Sequence, residues 1–117
     1  MRLSSLQQVF TLSVAQIINY AYAKGYTLTF GDAYRDPRLH GEHGEGGGYG
    51  SRNSCHKFRL AVDFNLRVNG ALVYDGNHPA WKDIGDEWKR IHPKARWGGD
   101  FKSKDSNHLS FEWQGFR

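Results

Sequence analysis

Leu3, Leu6, Val9, Phe10, Val14, Ile17, Ile18, Ala21 and Tyr22 recur at three- and four-residue spacing, with mostly polar residues between them. This is the apolar stripe of one amphipathic helix, or of two in near succession. Ser5-x-x-Gln8 reads as a capping box, Thr11 or Ser13 as the cap of a second segment, and Gly25 as the terminating residue. The β-branched and aromatic run Tyr26–Phe30 predicts a strand. Pro37 marks a boundary beyond it, and six glycines among residues 41–50 predict a long loop. Residues 60–67 read as a second strand, and Asn69-Gly70 signals a hairpin into residues 71–74. Trp81, Ile84, Trp88 and Ile91 predict a helix over Pro79–Ile91, with proline in its first turn and Pro93 ending it. Clean alternation over residues 108–113 predicts a last strand. No linker or repeat divides the chain, so residues 1–117 read as a single domain.

Parity then sorts the strand residues, because successive side chains point to opposite faces. Leu60, Val62, Phe64 and Leu66 share one face of the second strand, and Ala61, Asp63 and Asn65 the other. In the last strand Leu109, Phe111 and Trp113 lie opposite His108, Ser110 and Glu112. With helices over the apolar face, Asp63 and His108 emerge together on the uncovered one. His56 falls on the wrong parity for a continuous strand, so it is expected in the preceding loop, folded over. Two imidazoles and a carboxylate form a recurring zinc environment with a fourth position open to water. A cation there would compensate the charge of an aspartate set between Val62 and Phe64, and would draw the pKa of a bound water towards ~7. Spacing alone leaves open three unrelated polar residues on a sheet face.

Composition narrows the partners. A single cysteine excludes an intramolecular disulfide and a four-cysteine zinc site, which directs metal chemistry to His and carboxylate. Cys55 itself is rejected as a thiol nucleophile, because its sequence neighbour His56 points away from it. The net charge of +4 favours anionic partners, but Lys and Arg are scattered, and nucleic acid is not expected among them. Gln7, Gln8, Ser13, Gln16 and Asn19 interrupt the N-terminal apolar positions, so neither a signal peptide nor a membrane span is expected.

The motifs add a resemblance. Ser54-x-His56 followed by Ala61-x-Asp63, with Asp105-Ser106-Asn107-His108 further on, resembles the paired motifs of zinc peptidases related to D-alanyl-D-alanine carboxypeptidases. Tyr34-Arg35-Asp36-Pro37 and Trp97-Gly98-Gly99-Asp100-Phe101 match in type and order. The likeness is strongest to phage endolysins of the L-alanyl-D-glutamate peptidase type. Arg59 departs from the motif, which usually has glycine there. The resemblance implies an α+β fold of the Hedgehog/DD-peptidase kind, a small antiparallel sheet with helices on one face and a zinc site on the other.

It further implies that His56, Asp63 and His108 hold Zn2+ and that Asp105 is the general base. Arg35 would pair with a substrate carboxylate or stabilise the oxyanion, and Ser54 would orient the loop or bind substrate. Glu112 is a reserve base or, better, a partner that steadies a histidine. The bland readings are a turn cap for Asp105 and a surface ion pair for Arg35.

The implied function is hydrolysis of the L-alanyl-D-glutamate bond in the peptidoglycan stem peptide during phage lysis. Such an enzyme would be a monomer in the host cytoplasm, reaching the wall when a membrane-permeabilising partner (a holin) releases it. The alternatives are a D-alanyl-D-alanine carboxypeptidase and a non-catalytic, zinc-stabilised wall-binding module.

Overall fold

The computed structural model describes residues 1–31 and 55–117. Arg35, Ser54, His40, His43 and the glycine-rich stretch 41–50 lie outside them. The N-terminal stripe forms one helix, α1 (Leu3–Ala23), whose buried positions Leu6, Phe10, Ser13, Ile17 and Ala21 keep the three- and four-residue spacing. The capping box does not form. Arg2 stands at the N-cap without a side-chain cap, and the Gln8 amide donates to the Ser4 carbonyl instead. Nor do Thr11 and Ser13 start a second helix: their hydroxyls donate to the carbonyls of Gln7 and Val9, four residues back. A hydroxyl satisfied in this way sits inside a helix without interrupting it. Gly25 ends α1 with a φ of +86°, where a side chain would be strained.

The strands are β1 (Tyr26–Phe30), β2 (Ala61–Val68), β3 (Ala71–Leu72), β4 (Ala95–Trp97) and β5 (His108–Phe111). They form an antiparallel sheet in the order β1-β2-β5-β4, with β3 beside β2. Asn69 and Gly70 take φ values of +53° and +81°, as the predicted two-residue hairpin turn requires. The paired part of β3 is shorter than expected, and β5 stops at Phe111. Beyond it Trp113 bridges Phe116 in a tight return.

Helix α2 (Pro79–Ile91) begins at His78, whose Nδ1 accepts from the Ala80 N–H at 3.0 Å. Together α1 and α2 bury the face that carries Leu28, Phe64, Leu66, Leu109 and Phe111. At its centre Phe10 meets Trp88 and Phe111 edge-on, with ring centroids 5.7 and 5.2 Å away, a favoured aromatic geometry. The Trp88 indole N–H is shared between the carbonyls of Arg96 and Ser110, so a core residue also ties β4 to β5. Asp83 on α2 accepts from the hydroxyls of both Tyr20 and Tyr26, at 2.6 and 2.8 Å, joining α1, β1 and α2.

The second sheet face is not open, as parity alone had suggested. His108 is 4% exposed and Ser110 fully buried. The 3-10 turn Cys55–Phe58 and the turn Gly98–Asp100 both pack against β5, and Phe101 lies against the His108 ring, 5.5 Å between centroids.

Candidate metal centre

Register makes the central pair. Asp63 on β2 and His108 on β5 are direct cross-strand partners, so their side chains leave the same face side by side. The Asp63 carbonyl is taken by Gly31 N–H on the β1 side. Asp63 and His108 therefore form a non-hydrogen-bonded pair, the closer of the two antiparallel classes. A one-residue slip would place them on opposite faces.

His56 arrives from outside the sheet, on the turn Cys55–Phe58. That turn is held by Leu60 N–H to the Cys55 carbonyl (3.0 Å), by Cys55 N–H to the Arg117 carbonyl (3.3 Å) and by the Gln7 amide to the Phe58 carbonyl (2.7 Å). Arg59 closes it with a φ of +56°. Arginine thus takes a left-handed position where the motif this stretch resembles usually has glycine.

His56 Nε2 stands 3.4 Å from Asp63 Oδ2, and His108 Nδ1 3.3 Å from Asp63 Oδ1. One donor atom from each residue lies within 4.8 Å of the others. Ligand atoms held about 2.05 Å from a tetrahedral zinc stand roughly 3.3 Å apart, which is the spacing each imidazole nitrogen keeps to its nearer carboxylate oxygen. The donor set, two imidazole nitrogens and a carboxylate, is also the one zinc takes when a position is kept for water. Among the described residues His108 Nε2 is buried without a hydrogen-bond partner. With its proton carried on Nε2 instead of towards Asp63, the ring would present the Nδ1 lone pair to a cation. These residues fit a divalent metal. Burial works to raise the Asp63 pKa, but hydrogen bonds from His108 and His56 outweigh it and hold the carboxyl well below the usual range. The aspartate is thereby kept in the anionic form that a cation needs.

Asp105 is exposed and opens the turn into β5. Its N–H donates to the Gly98 carbonyl (2.8 Å), and its carbonyl accepts from His108 N–H (3.0 Å). The same turn is pinned by the Trp97 indole, which donates to the Ser106 carbonyl at 2.8 Å, and by the Ser106 hydroxyl, which donates to the Gly76 carbonyl at 2.7 Å. Sequence reasoning gave Trp97, Gly98 and Ser106 no role. The signal available was the tryptophan-glycine-glycine run, because only glycine lets the chain approach so closely: a Cβ on Gly98 would fall 2.0 Å from the Asp105 carbonyl oxygen.

Glu112 lies past the end of β5, and its carboxylate faces Arg96 at 3.4 Å rather than a histidine. The Glu112 N–H donates to the Lys94 carbonyl at 2.8 Å, so the backbone still follows β4 at this point. Asp100 pairs with Lys89 at 2.7 Å and is structural. Cys55 is fully buried, and burial pushes its thiol up to about 11, which leaves it inert as a nucleophile at neutral pH.

Fold and site together define a candidate metal centre built across two antiparallel strands. A family model described as D-alanyl-D-alanine carboxypeptidase matches residues 48–111, a stretch that includes His56, Asp63, Asp105 and His108. The chain belongs to this metallopeptidase family, one of zinc peptidases that act on peptidoglycan. Arg35 precedes the matched residues. Among curated proteins, none matches the chain.

Proposed function

We propose that the protein is a zinc-dependent peptidoglycan peptidase that cuts the L-alanyl-D-glutamate bond of the stem peptide, acting as an endolysin in phage lysis. The observation that carries this reading is the convergence of His56, Asp63 and His108 donor atoms within 4.8 Å, with Asp105 on the turn that delivers His108. These three residues would hold a zinc ion, which would supply an acidified water and a Lewis acid for the scissile carbonyl. Asp105 takes a proton from the attacking water and delivers it to the leaving amine nitrogen. Phe101 and the turn Cys55–Phe58 exclude bulk water from the buried side of His108. Arg35 stabilises the developing oxyanion or holds a substrate carboxylate, and Ser54 contacts substrate; these two roles rest on motif resemblance.

Among the described residues no helix is long and apolar enough to cross a membrane. In this reading the enzyme accumulates in the host cytoplasm and reaches the wall as a monomer through a membrane-permeabilising partner. A second reading, favoured by the description of the matched family, is carboxypeptidase action on a terminal D-alanyl-D-alanine bond.

The test is digestion of purified peptidoglycan, followed by turbidity, released amines and mass analysis of fragments. Lysis should stop on chelation, return with zinc and be absent in Asp105→Ala. New amino termini on D-glutamate support the endopeptidase, and free D-alanine supports the carboxypeptidase. Zinc binding without cleavage of any wall preparation would leave a binding module.

A further inference from the structure

Strand β2 changes neighbours along its length. At Phe64 its N–H donates to the Asn107 carbonyl ahead of β5, while at Leu66 its carbonyl accepts from Val73 N–H beyond β3. Between these two points the partner strands part, and the gap is a notch of about 420 Å³ whose walls include Asn65, Tyr74, Asn77, Lys104, Asp105 and Asn107. Three side-chain amides, a phenol ring 90% exposed and one ammonium therefore surround a space that borders on Asp105.

Lys104 differs from the cations of α2 and β4. Lys82, Lys89, Arg90 and Arg96 each pair with a carboxylate. Among the described residues none lies within ion-pairing distance of Lys104 Nζ, which bonds only the neutral amide oxygen of Asn77.

We propose that this notch is the subsite for a carboxylate on the residue that leaves, with Lys104 as its charge partner. The inference rests on the peptidase reading above and deepens it. In both bonds considered there, the released nitrogen belongs to an amino acid whose Cα carries a free carboxylate. This is the terminal carboxylate of D-alanine, or the α-carboxylate of D-glutamate when the stem continues through the side chain. Asp105 hands its proton to that nitrogen, so the substrate carboxylate, two bonds away, must come to rest near the Asp105 carboxylate. Two anions this close repel unless a cation separates or joins them, and Lys104, which lines the same notch as Asp105, supplies one for the substrate carboxylate. The amides of Asn65, Asn77 and Asn107 supply donors and acceptors for the rest of the leaving residue.

The experiment uses the zinc-loaded enzyme and two synthetic stem peptides, identical except that the leaving residue bears a carboxylate in one and a carboxamide in the other. The readout is the ratio of their kcat/KM values, which is independent of how much of a variant is folded because both peptides meet the same enzyme. Wild type should favour the carboxylate by about tenfold, the size of one charge-assisted hydrogen bond, with the difference in KM. Lys104→Gln should bring the ratio close to one, Lys104→Glu should invert it, and Lys104→Arg should preserve it. Cleavage with the same ratio in Lys104→Gln as in wild type would overturn the subsite and leave the peptidase reading intact. Failure of wild type to cut either peptide, or any wall preparation, would instead overturn the peptidase reading and the subsite with it.

Discussion

Arg59 is a non-glycine residue held at φ +56°, a conformation that costs an L-residue about 1–2 kcal/mol. Glycine there would remove that strain but lose about 0.5–1 kcal/mol to backbone entropy. Arg59→Gly is therefore expected to stabilise the fold by about 0.5–1 kcal/mol, seen as a raised urea midpoint with an unchanged m-value. Cys55 gives a second check at the level of single side chains. Its thiol stays protonated up to about 11 in the folded protein, so iodoacetamide at pH 8 should leave it unmodified until denaturant is added. The sign follows from the raised value. Its contribution to stability is full below the unfolded thiol's range near ~8.5 and is lost as pH rises towards the folded value. Asp63 runs the other way. Its pKa is depressed, so in metal-free protein its contribution is complete above roughly pH 5 and fades as pH falls below the unfolded value near ~3.9. Asp63→Asn should flatten that acid limb and, in a chelator competition assay, weaken zinc binding at least ~100-fold.

Between β4 and β5 the chain is organised around one indole. Trp97 lies between Gly85 of α2 and Gly99, each so near that an added Cβ would come within 2.2 Å of the ring. From there it holds the Ser106 carbonyl in the turn that carries Asp105. Gly85→Ala should destabilise the protein by about 1–3 kcal/mol through overpacking, measured by thermal unfolding. Trp97→Phe keeps most of the ring but drops a buried hydrogen bond worth about 1 kcal/mol. It should lower kcat more than it lowers zinc affinity, because Asp63 and His108 are set by the β2–β5 register rather than by this turn.

That contrast also explains what the sequence disclosed. Regular alternation over β2 and β5 placed Asp63 and His108 on one face, and helical spacing found α1 and α2, because periodicity reports on long elements. It missed β4, whose three residues Ala95, Arg96 and Trp97 are too few to show a period. It also missed that the site face is covered, since the covering pieces are short turns whose positions depend on tertiary contacts. Nothing in the sequence signalled that the Glu112 carboxylate would face Arg96, because that pairing depends on the unforeseen β4.

For the molecule as a whole, a net charge of +4 on 117 residues gives a weak attraction to anionic polymer. Wall lysis should accordingly slow as salt is raised through the physiological range, while cleavage of a small stem peptide should change little. Metal should matter to the entire fold. Zinc at about a hundred times its dissociation constant adds ~2.7 kcal/mol, so chelation should lower Tm by about 10 °C. His56 and Asp63 are near neighbours in sequence, whereas His108 comes from the far end of the chain. An ion gripping all three would act as a clasp across the middle of the sheet, because β5 cannot peel from β2 while the grip holds. The lifetime of the folded enzyme among proteases would then follow the departure of its ion, and persistence outside the cell becomes a kinetic property. Proteolytic half-life should lengthen with added zinc and become insensitive to it in His108→Ala.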